Sequence, residues 1–444
     1  MPLFVFDPEL LGRSPNRDRF LNESLLDLDR SLHRLGGLLV VRAGDPVDEA
    51  VALARETGAA AVHLDEDVSA YAQVRARRLR EALAAHDIAM HVHPGNAVVP
   101  PGDVVPAGKS VYSVFTPYPR AWAEAPRRTI DPVPARIDLP PGLEPGPRPN
   151  PEDFRPASID LAPGGEGAAR KQLESYLDGD GARYGEVRND LAADRTSRLS
   201  PYLRFGCISA LEVVRDAGEV PGTEELIRQV AWRDFFAQLL AHDPAIQWRD
   251  HREPPADIPT LPEHADYLFA CWQQGRTGIP LVDAGMRQLR REGWMHNRAR
   301  MVVASYLTRR LGIQWQRGAG HFMHWLVDGD PASNAGGWQW AAGTGTDPRR
   351  SRSFNPVRQA ERFDPDGEYV RRYVRELAGT PTSQIFAPWL DPAVLSATGY
   401  PAPILEVPAT RAPTSPDQTS LPLSPSSTSS SEPSSAALRT AKSR

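Results

Sequence analysis

The first 125 residues alternate short apolar runs with longer amphipathic stretches. The apolar runs at 3–6, 38–42, 61–64 and 88–92 are strand-length and nearly unbroken, which predicts buried strands of a parallel sheet. Between them, residues 16–35, 46–57 and 69–85 keep the 3.6-residue period of helices. Asp45 ahead of Pro46 reads as an N-cap followed by a proline at the first helical position. This alternation predicts a doubly wound α/β domain over residues 1–125. No strand is followed by GxGxxG, so a dinucleotide fingerprint is absent.

The pattern changes twice more. Residues 126–167, with PVPARIDLPPGLEPGPRPNPEDFRP at their centre, hold too much proline for a helix or a central strand and predict a long linker. From 168 to 395 the 3.6-residue period dominates, with Ser209 and Thr223 as helix caps, and predicts an all-α domain. Residues 401–444 form a Ser/Pro/Thr-rich tail of low hydrophobicity, expected to stay disordered.

Composition narrows the class. At 41% hydrophobic, a chain of 444 residues can bury a sizeable core. Two cysteines, Cys207 and Cys271, argue for a reducing compartment rather than a disulfide scaffold. The start has no basic region ahead of an apolar run, and no apolar run reaches the ~18 residues needed to span a bilayer, so the reading is cytoplasmic with no membrane partner. The net charge of −5 argues against a surface that coats nucleic acid throughout. Basic charge is instead concentrated: residues 281–310 carry seven Arg against Asp283 and Glu292 alone.

Two stretches stand out chemically. Residues 328–347, DGDPASNAGGWQWAAGTGTD, combine acids, an Asn, glycines and two indoles without Lys, Arg or Leu. Trp338 and Trp340, two apart, point to different sides of a helix. Upstream, Tyr184 and Arg188 precede Thr196-Ser197-Arg198-Leu199-Ser200, whose three hydroxyls and one guanidinium ahead of a helix suit a pyrophosphate.

DGD…N..GGWQWAAGTGTD, TSRLSPYL, QVAWRDFF, GWMHNRARM and SVFTPYPRAW together resemble the cryptochrome/photolyase family, in its class I cyclobutane pyrimidine dimer branch. The resemblance runs from about residue 3 to about residue 390 and is most specific from Thr196 onward. It implies light-driven repair of pyrimidine dimers in DNA by electron transfer from reduced FAD. The alternatives are a cryptochrome-type blue-light photoreceptor and a flavin-containing DNA-binding protein without repair activity. It implies a monomer, no metal, and an antenna chromophore (folate or deazaflavin) that the residues leave open.

The resemblance also implies residue roles. Tyr184, Thr196, Ser197, Arg198, Leu199, Ser200, Arg300, Asp328, Gly329, Asp330 and Asn334 would hold FAD, with Arg300 paired to Asp328 and Asn334 near the flavin N5. Arg188, Gln229, Trp232, Arg233, Phe236, Asn297, Arg298, Met301, Trp340 and Gln359 would face DNA and the lesion. Gln229 stands where the cyclobutane-dimer enzymes carry Glu. His296 would be structural, with proton transfer as the alternative.

Trp338 and Trp315 match the first two members of an electron-relaying tryptophan chain, and Asn334 joins them in the catalytic set. The third position falls on Pro262, which implies slow photoreduction or a detour through Tyr267 or Trp272. The family also has a strand ahead of Leu3, in the middle of its sheet. Without it, two strands would stand about twice the ~4.8 Å strand spacing apart, and the reading is that translation starts upstream of Met1.

Overall fold

Strand and helix alternate through the first quarter of the chain: β1 (Leu3–Phe6), α1 (Pro15–Arg34), β2 (Val40–Ala43), α2 (Pro46–Glu56), β3 (Ala61–Asp65), α3 (Ala70–Ala84), β4 (Ala89–His93) and α4 (Tyr118–Glu124). These spans come from a computed structural model that describes residues 1–347 and 353–406. The described residues lie within one unit, Met1–Ala412. From residue 407 the Ser/Pro/Thr tail, expected to be disordered, lies outside the described residues.

Local chemistry accounts for the helix starts. The Asp45 carboxylate accepts from the Val47 amide at 2.8 Å with Pro46 at the first helical position, and Ser14 and Ser69 cap α1 and α3. Thr223 departs from its expected capping role. Its hydroxyl donates backwards, to the Ala217 and Val220 carbonyls at 2.5 and 2.9 Å, and leaves the first turn of the next helix uncapped by a side chain.

The parallel strands form two pairs rather than one sheet. β1 lies beside β2 with Leu3 opposite Val40, and β3 lies beside β4 with Ala61 opposite Ala89. Among the described residues no ladder joins β1 to β3. One apolar layer nevertheless spans both pairs: Val47 and Ala50 of α2 and Leu79 and Leu83 of α3 pack with Leu3 on one side and Val62, Leu64 and Met90 on the other. The interruption falls between β1 and β3, where the resemblance calls for a further strand.

Residues 126–165 contain one helical turn, Pro151–Asp153, and run back along α1. The Arg19 guanidinium reaches the Pro151 carbonyl at 2.9 Å, and the Asn16 amide and Ser158 exchange two bonds of 2.9 Å.

Helices make up the rest: α5 (Glu166–Asp178), α6 (Tyr184–Val187), α7 (Ser200–Phe205), α8 (Ala210–Gly218), α9 (Glu224–His242), α10 (Ala265–Gln274), α11 (Pro280–Glu292), α12 (Asn297–Ser305), α13 (Trp315–Trp325), α14 (Pro331–Ala342), α15 (Pro356–Phe363), α16 (Glu368–Tyr373), α17 (Thr382–Ile385) and α18 (Pro392–Thr398). The chain leaves α12 through a π-turn at Tyr306–Arg310.

Two glycines let α14 sit close to its neighbours. A Cβ on Gly336 would stand 2.2 Å from the Phe236 ring of α9, and one on Gly318 would stand 2.2 Å from the Trp338 ring. No helix among the described residues is long and apolar enough to cross a membrane.

A buried carboxylate is among the ties between the α/β part and the helical part. Asp234 of α9 accepts from the Val98 and Val99 amides at 2.9 and 3.0 Å and from the Trp122 indole at 2.8 Å. Burial raises its pKa above the usual carboxylate range, against the pull of those three donors.

Candidate functional site

The loop 194–199 and the first turn of α7 meet the α13–α14 connection. Asp328, 7% exposed, accepts from the Ser200 hydroxyl at 2.6 Å and from the Arg300 guanidinium at 2.8 Å through the same oxygen, Oδ2. The ion pair is the one the resemblance implies. The Trp294 indole donates to Ser200 Oγ at 3.2 Å, and the Arg198 guanidinium lies 4.1 Å from the centre of that ring. Arg198 has a left-handed backbone (φ 48°) and is pinned by Asp194 and, at 2.9 Å, by Glu292. Its charge is held in place before any ligand arrives. α7 has only six residues, so its dipole adds little, and the cations here are Arg198 and Arg300, both paired with carboxylates.

Several buried polar atoms around this loop have no protein partner, among them Asp194 Oδ1, Thr196 Oγ1, Asp328 Oδ1 and, further along, Trp338 Nε1. Unpaired buried donors and acceptors are costly unless a ligand or water completes them. With Arg198, Arg300 and the hydroxyl loop they fit a polar, phosphate-bearing ligand. The Ser197 carbonyl is fixed by Gln172 at 3.0 Å, and Leu199 is buried beneath the loop. Tyr184 stands apart on α6, 6.0 Å from the Arg188 guanidinium, with its phenol pKa raised to about 12 by burial.

On α14, Asp330 caps the helix by accepting from Ser333 N at 2.7 Å, and the Gly329 carbonyl accepts from Arg204 at 3.0 Å. Both act here on the backbone. The Asn334 amide donates to the Ala319 carbonyl at 3.1 Å. Trp338, 2% exposed, has Phe322 at 4.9 Å and Trp272 at 6.1 Å as its ring neighbours. Trp315 is equally buried but directs its indole N–H to Asp250 at 2.6 Å and is not among those neighbours. The indole in ring contact with Trp338 is thus Trp272, the residue named above as a detour. Pro262 carries no aromatic ring to continue a relay, and Tyr267 is 64% exposed.

The residues assigned to DNA fall into two groups. On α9, Trp232 stacks on Phe115 at 3.5 Å between centroids, Phe236 packs beside it, and Gln229 lies one turn earlier, donating to the Glu225 carbonyl at 3.5 Å. Arg188 pairs with Glu225 at 2.9 Å. Arg233 turns away to the Asn96 carbonyl at 2.6 Å.

On α12, Asn297 is exposed and meets Met301 Sδ at 3.9 Å. Arg298 is buried: it donates to Asn189 at 2.7 Å and Gln359 at 3.5 Å and lies 4.3 Å from the Phe363 ring centre. Trp340 packs toward Phe354, with its N–H on Asp347 at 2.9 Å. Trp232 and Trp340 pack against different core clusters.

His296 caps α12, its Nδ1 accepting from Arg298 N at 3.1 Å. Burial, with Arg298, Arg198 and Arg300 nearby, lowers its pKa to about 3. A neutral capping ring matches the structural reading. Asn189, Phe115, Glu225 and Trp272 were not singled out for the site, apart from Trp272 as a detour. The bulky aromatics carried a generic signal, but nothing local marks which cavity a lone Asn or Glu faces.

The sequence matches the family described as DNA photolyase over residues 1–138 and the FAD binding domain of DNA photolyase over residues 226–415. It is 46% identical to a deoxyribodipyrimidine photo-lyase of Streptomyces griseus, over 93% of this chain and 91% of that protein. A protein of Gloeobacter violaceus named cryptochrome DASH is 36% identical over 91% of this chain and 87% of its own. Among solved structures, a bacterial class III photolyase from Agrobacterium tumefaciens superposes with a TM-score of 0.83 at 31% identity, covering 91% of this chain and 88% of that one.

Proposed function

The chain belongs to the cryptochrome/photolyase family, and from that premise we propose light-driven repair of cyclobutane pyrimidine dimers in DNA, with FAD as cofactor. The observation that carries the flavin assignment is the Ser200–Asp328–Arg300 cluster beside Arg198, bordered by the unpaired Thr196 Oγ1 and Asp328 Oδ1. Bound FAD supplies the photochemical electron; the side chains supply the rest. Arg198 and Arg300 would stand beside the phosphates, and Thr196 and Ser197 would offer hydroxyls to their oxygens, with Ser200 anchored to Asp328 next to them. Asn334, uncharged, offers an amide oxygen to the ring system. Trp338 and the aromatic layer behind it keep water from that end of the cavity.

On the DNA side, Trp232 offers a stacking surface whose far side is already backed by Phe115, and Gln229 offers both a donor and an acceptor to a flipped base. Extruding a damaged, poorly stacked base costs less than extruding an intact one, which favours the lesion. Asn297, Arg298, Met301, Gln359 and Trp340 belong to the same proposed lesion side, with Arg298 acting through Asn189 and Gln359 rather than as a free cation. The proposal takes the protein as a cytoplasmic monomer, with residues 1–125 as antenna domain, 126–167 as linker and 168–395 as the flavin domain. The chromophore is left between folate and deazaflavin.

The test is loss of cyclobutane dimers from ultraviolet-irradiated DNA, incubated with the FAD-loaded chain under blue light and in the dark. Repair only in the light is expected. Selective binding of irradiated DNA with no repair in either condition overturns the enzyme reading and leaves a damage-binding flavoprotein. The cryptochrome alternative draws on Gln229, Pro262 and the Ser-rich tail together, and six-four-lesion DNA run in parallel reports on the lesion preference that Gln229 sets.

A further inference from the structure

The end of α11 opens onto a cavity of about 360 Å³ that none of the flavin or lesion residues line. Five arginines face it: Arg287, Arg290 and Arg291 from the last turns of α11, and Arg372 and Arg375 from α16 and the turn after it. The floor is Trp325 of α13, with the Arg290 guanidinium 5.6 Å from its ring centre. Ile159 of the linker, 82% exposed, stands at the rim.

Two of the five charges are answered. Arg287 makes a two-pronged pair with Glu376 at 2.7 and 3.0 Å, and Arg291 pairs with Asp160, whose amide also bonds the Arg291 carbonyl at 2.9 Å. Among the described residues, Arg290, Arg372 and Arg375 meet no carboxylate, and Arg372 donates only to the Ala192 carbonyl at 2.8 Å. The carbonyl end of α11 explains the placing of Arg290 and Arg291. It does not explain two further arginines brought to the same mouth by a different element. Like charges gathered in this way repel one another unless an anion joins them.

We propose that this cavity binds a nucleoside phosphate: its phosphates between Arg290, Arg372 and Arg375, its base against Trp325. Guanidiniums match phosphate oxygens in pairs, and an indole accepts any base on its face. The volume lies at the small end of ligand pockets, which favours a mononucleotide over a length of duplex. This site is independent of the flavin assignment.

ADP is titrated calorimetrically into the full-length, FAD-saturated protein, with adenosine and pyrophosphate as separate arms. One saturable ADP site per chain is expected, tighter than either fragment. The double variant Arg290→Ala/Arg375→Ala and, separately, Trp325→Ala are each expected to weaken ADP at least tenfold. Flavin absorbance and light-dependent repair should stay unchanged in both. No saturable ADP binding, or binding the variants leave intact, overturns the proposal. So does a result in which pyrophosphate binds as tightly as ADP, which reduces the site to a bare anion cluster. If the double variant instead weakens only undamaged duplex DNA, the face is a nucleic-acid track and the nucleotide assignment fails.

Discussion

Asp328 shows how much of the site rests on one side chain. Its Oδ2 takes hydrogen bonds from Ser200 and Arg300 while it is almost fully buried, so removing Arg300 leaves a buried carboxylate without its counter-charge. Arg300→Ala is expected to cost about 3 kcal/mol and to release flavin, read by urea unfolding and by bound-flavin absorbance. Full flavin retention in that variant confines the pair to a scaffolding role.

Gln229→Ala should weaken irradiated-DNA binding by about tenfold, one lost hydrogen bond, at unchanged flavin content. Acid stability is also set at this scale. Burial lowers the pKa of His296 to about 3 and of His321 to about 4. Both rings are neutral in the fold but take up protons near pH 6.5 when unfolded, so stability is full above about pH 6.5 and falls as pH drops toward 4, by about 2 kcal/mol per ring at pH 5. Asp364, raised to about 6 by burial, works in the opposite sense: its contribution is present below about pH 4 and is lost as pH rises through 6. Unfolding midpoints from pH 7 to 4.5 test the balance, and a shallower slope in His296→Gln identifies its share.

Helix positions decide which rings meet. Gly318 of α13 allows the Trp338 ring to pass within contact of the helix backbone, and Gly336 does the same for Phe236. Alanine at either site overpacks the contact and should cost about 1–3 kcal/mol by thermal or urea unfolding. Gly318→Ala should also disturb flavin photoreduction, because it displaces Trp338.

The packing of α10 against α14 brings Trp272 beside Trp338, which points the electron path toward α10. Trp272→Phe is therefore expected to slow light-driven reduction of oxidised flavin more than Trp315→Phe does. A Trp315→Phe variant slower than Trp272→Phe returns the relay to the expected pair, and normal rates in both remove Trp338's neighbours from the path. The helix spans themselves were legible because period and caps act locally: residues 16–35 became α1 (Pro15–Arg34) and 46–57 became α2 (Pro46–Glu56). The ring pairing was not legible, because Trp272 and Trp315 lie on α10 and α13, and which of them meets Trp338 is set by how those helices pack against α14.

At the level of the whole molecule, the two strand pairs share one apolar layer with α2 and α3, while β1 and β3 stay unjoined. The α/β part is fastened to the helical part through Asp234, which holds the Val98 and Val99 amides and the Trp122 indole of α4. Asp234→Ala leaves those three buried donors unpaired and is expected to cost about 3–5 kcal/mol, measured as a lower urea midpoint for the full chain. An unchanged midpoint denies the clasp its role.

The sequence alone determined the order of strands and helices, the hydroxyl loop at 196–200 and the Asp328–Arg300 partnership. Each depends on spacing along the chain or on motifs specific enough to carry a resemblance. Tertiary structure decided the rest: Trp272 as the ring beside Trp338, Arg298 spent on Asn189 and Gln359, Trp232 and Trp340 in separate clusters, and five arginines around Trp325. The physical reason is common to all four. Contact between distant segments is set by which helix faces can close on each other without clash, and no single segment carries that information.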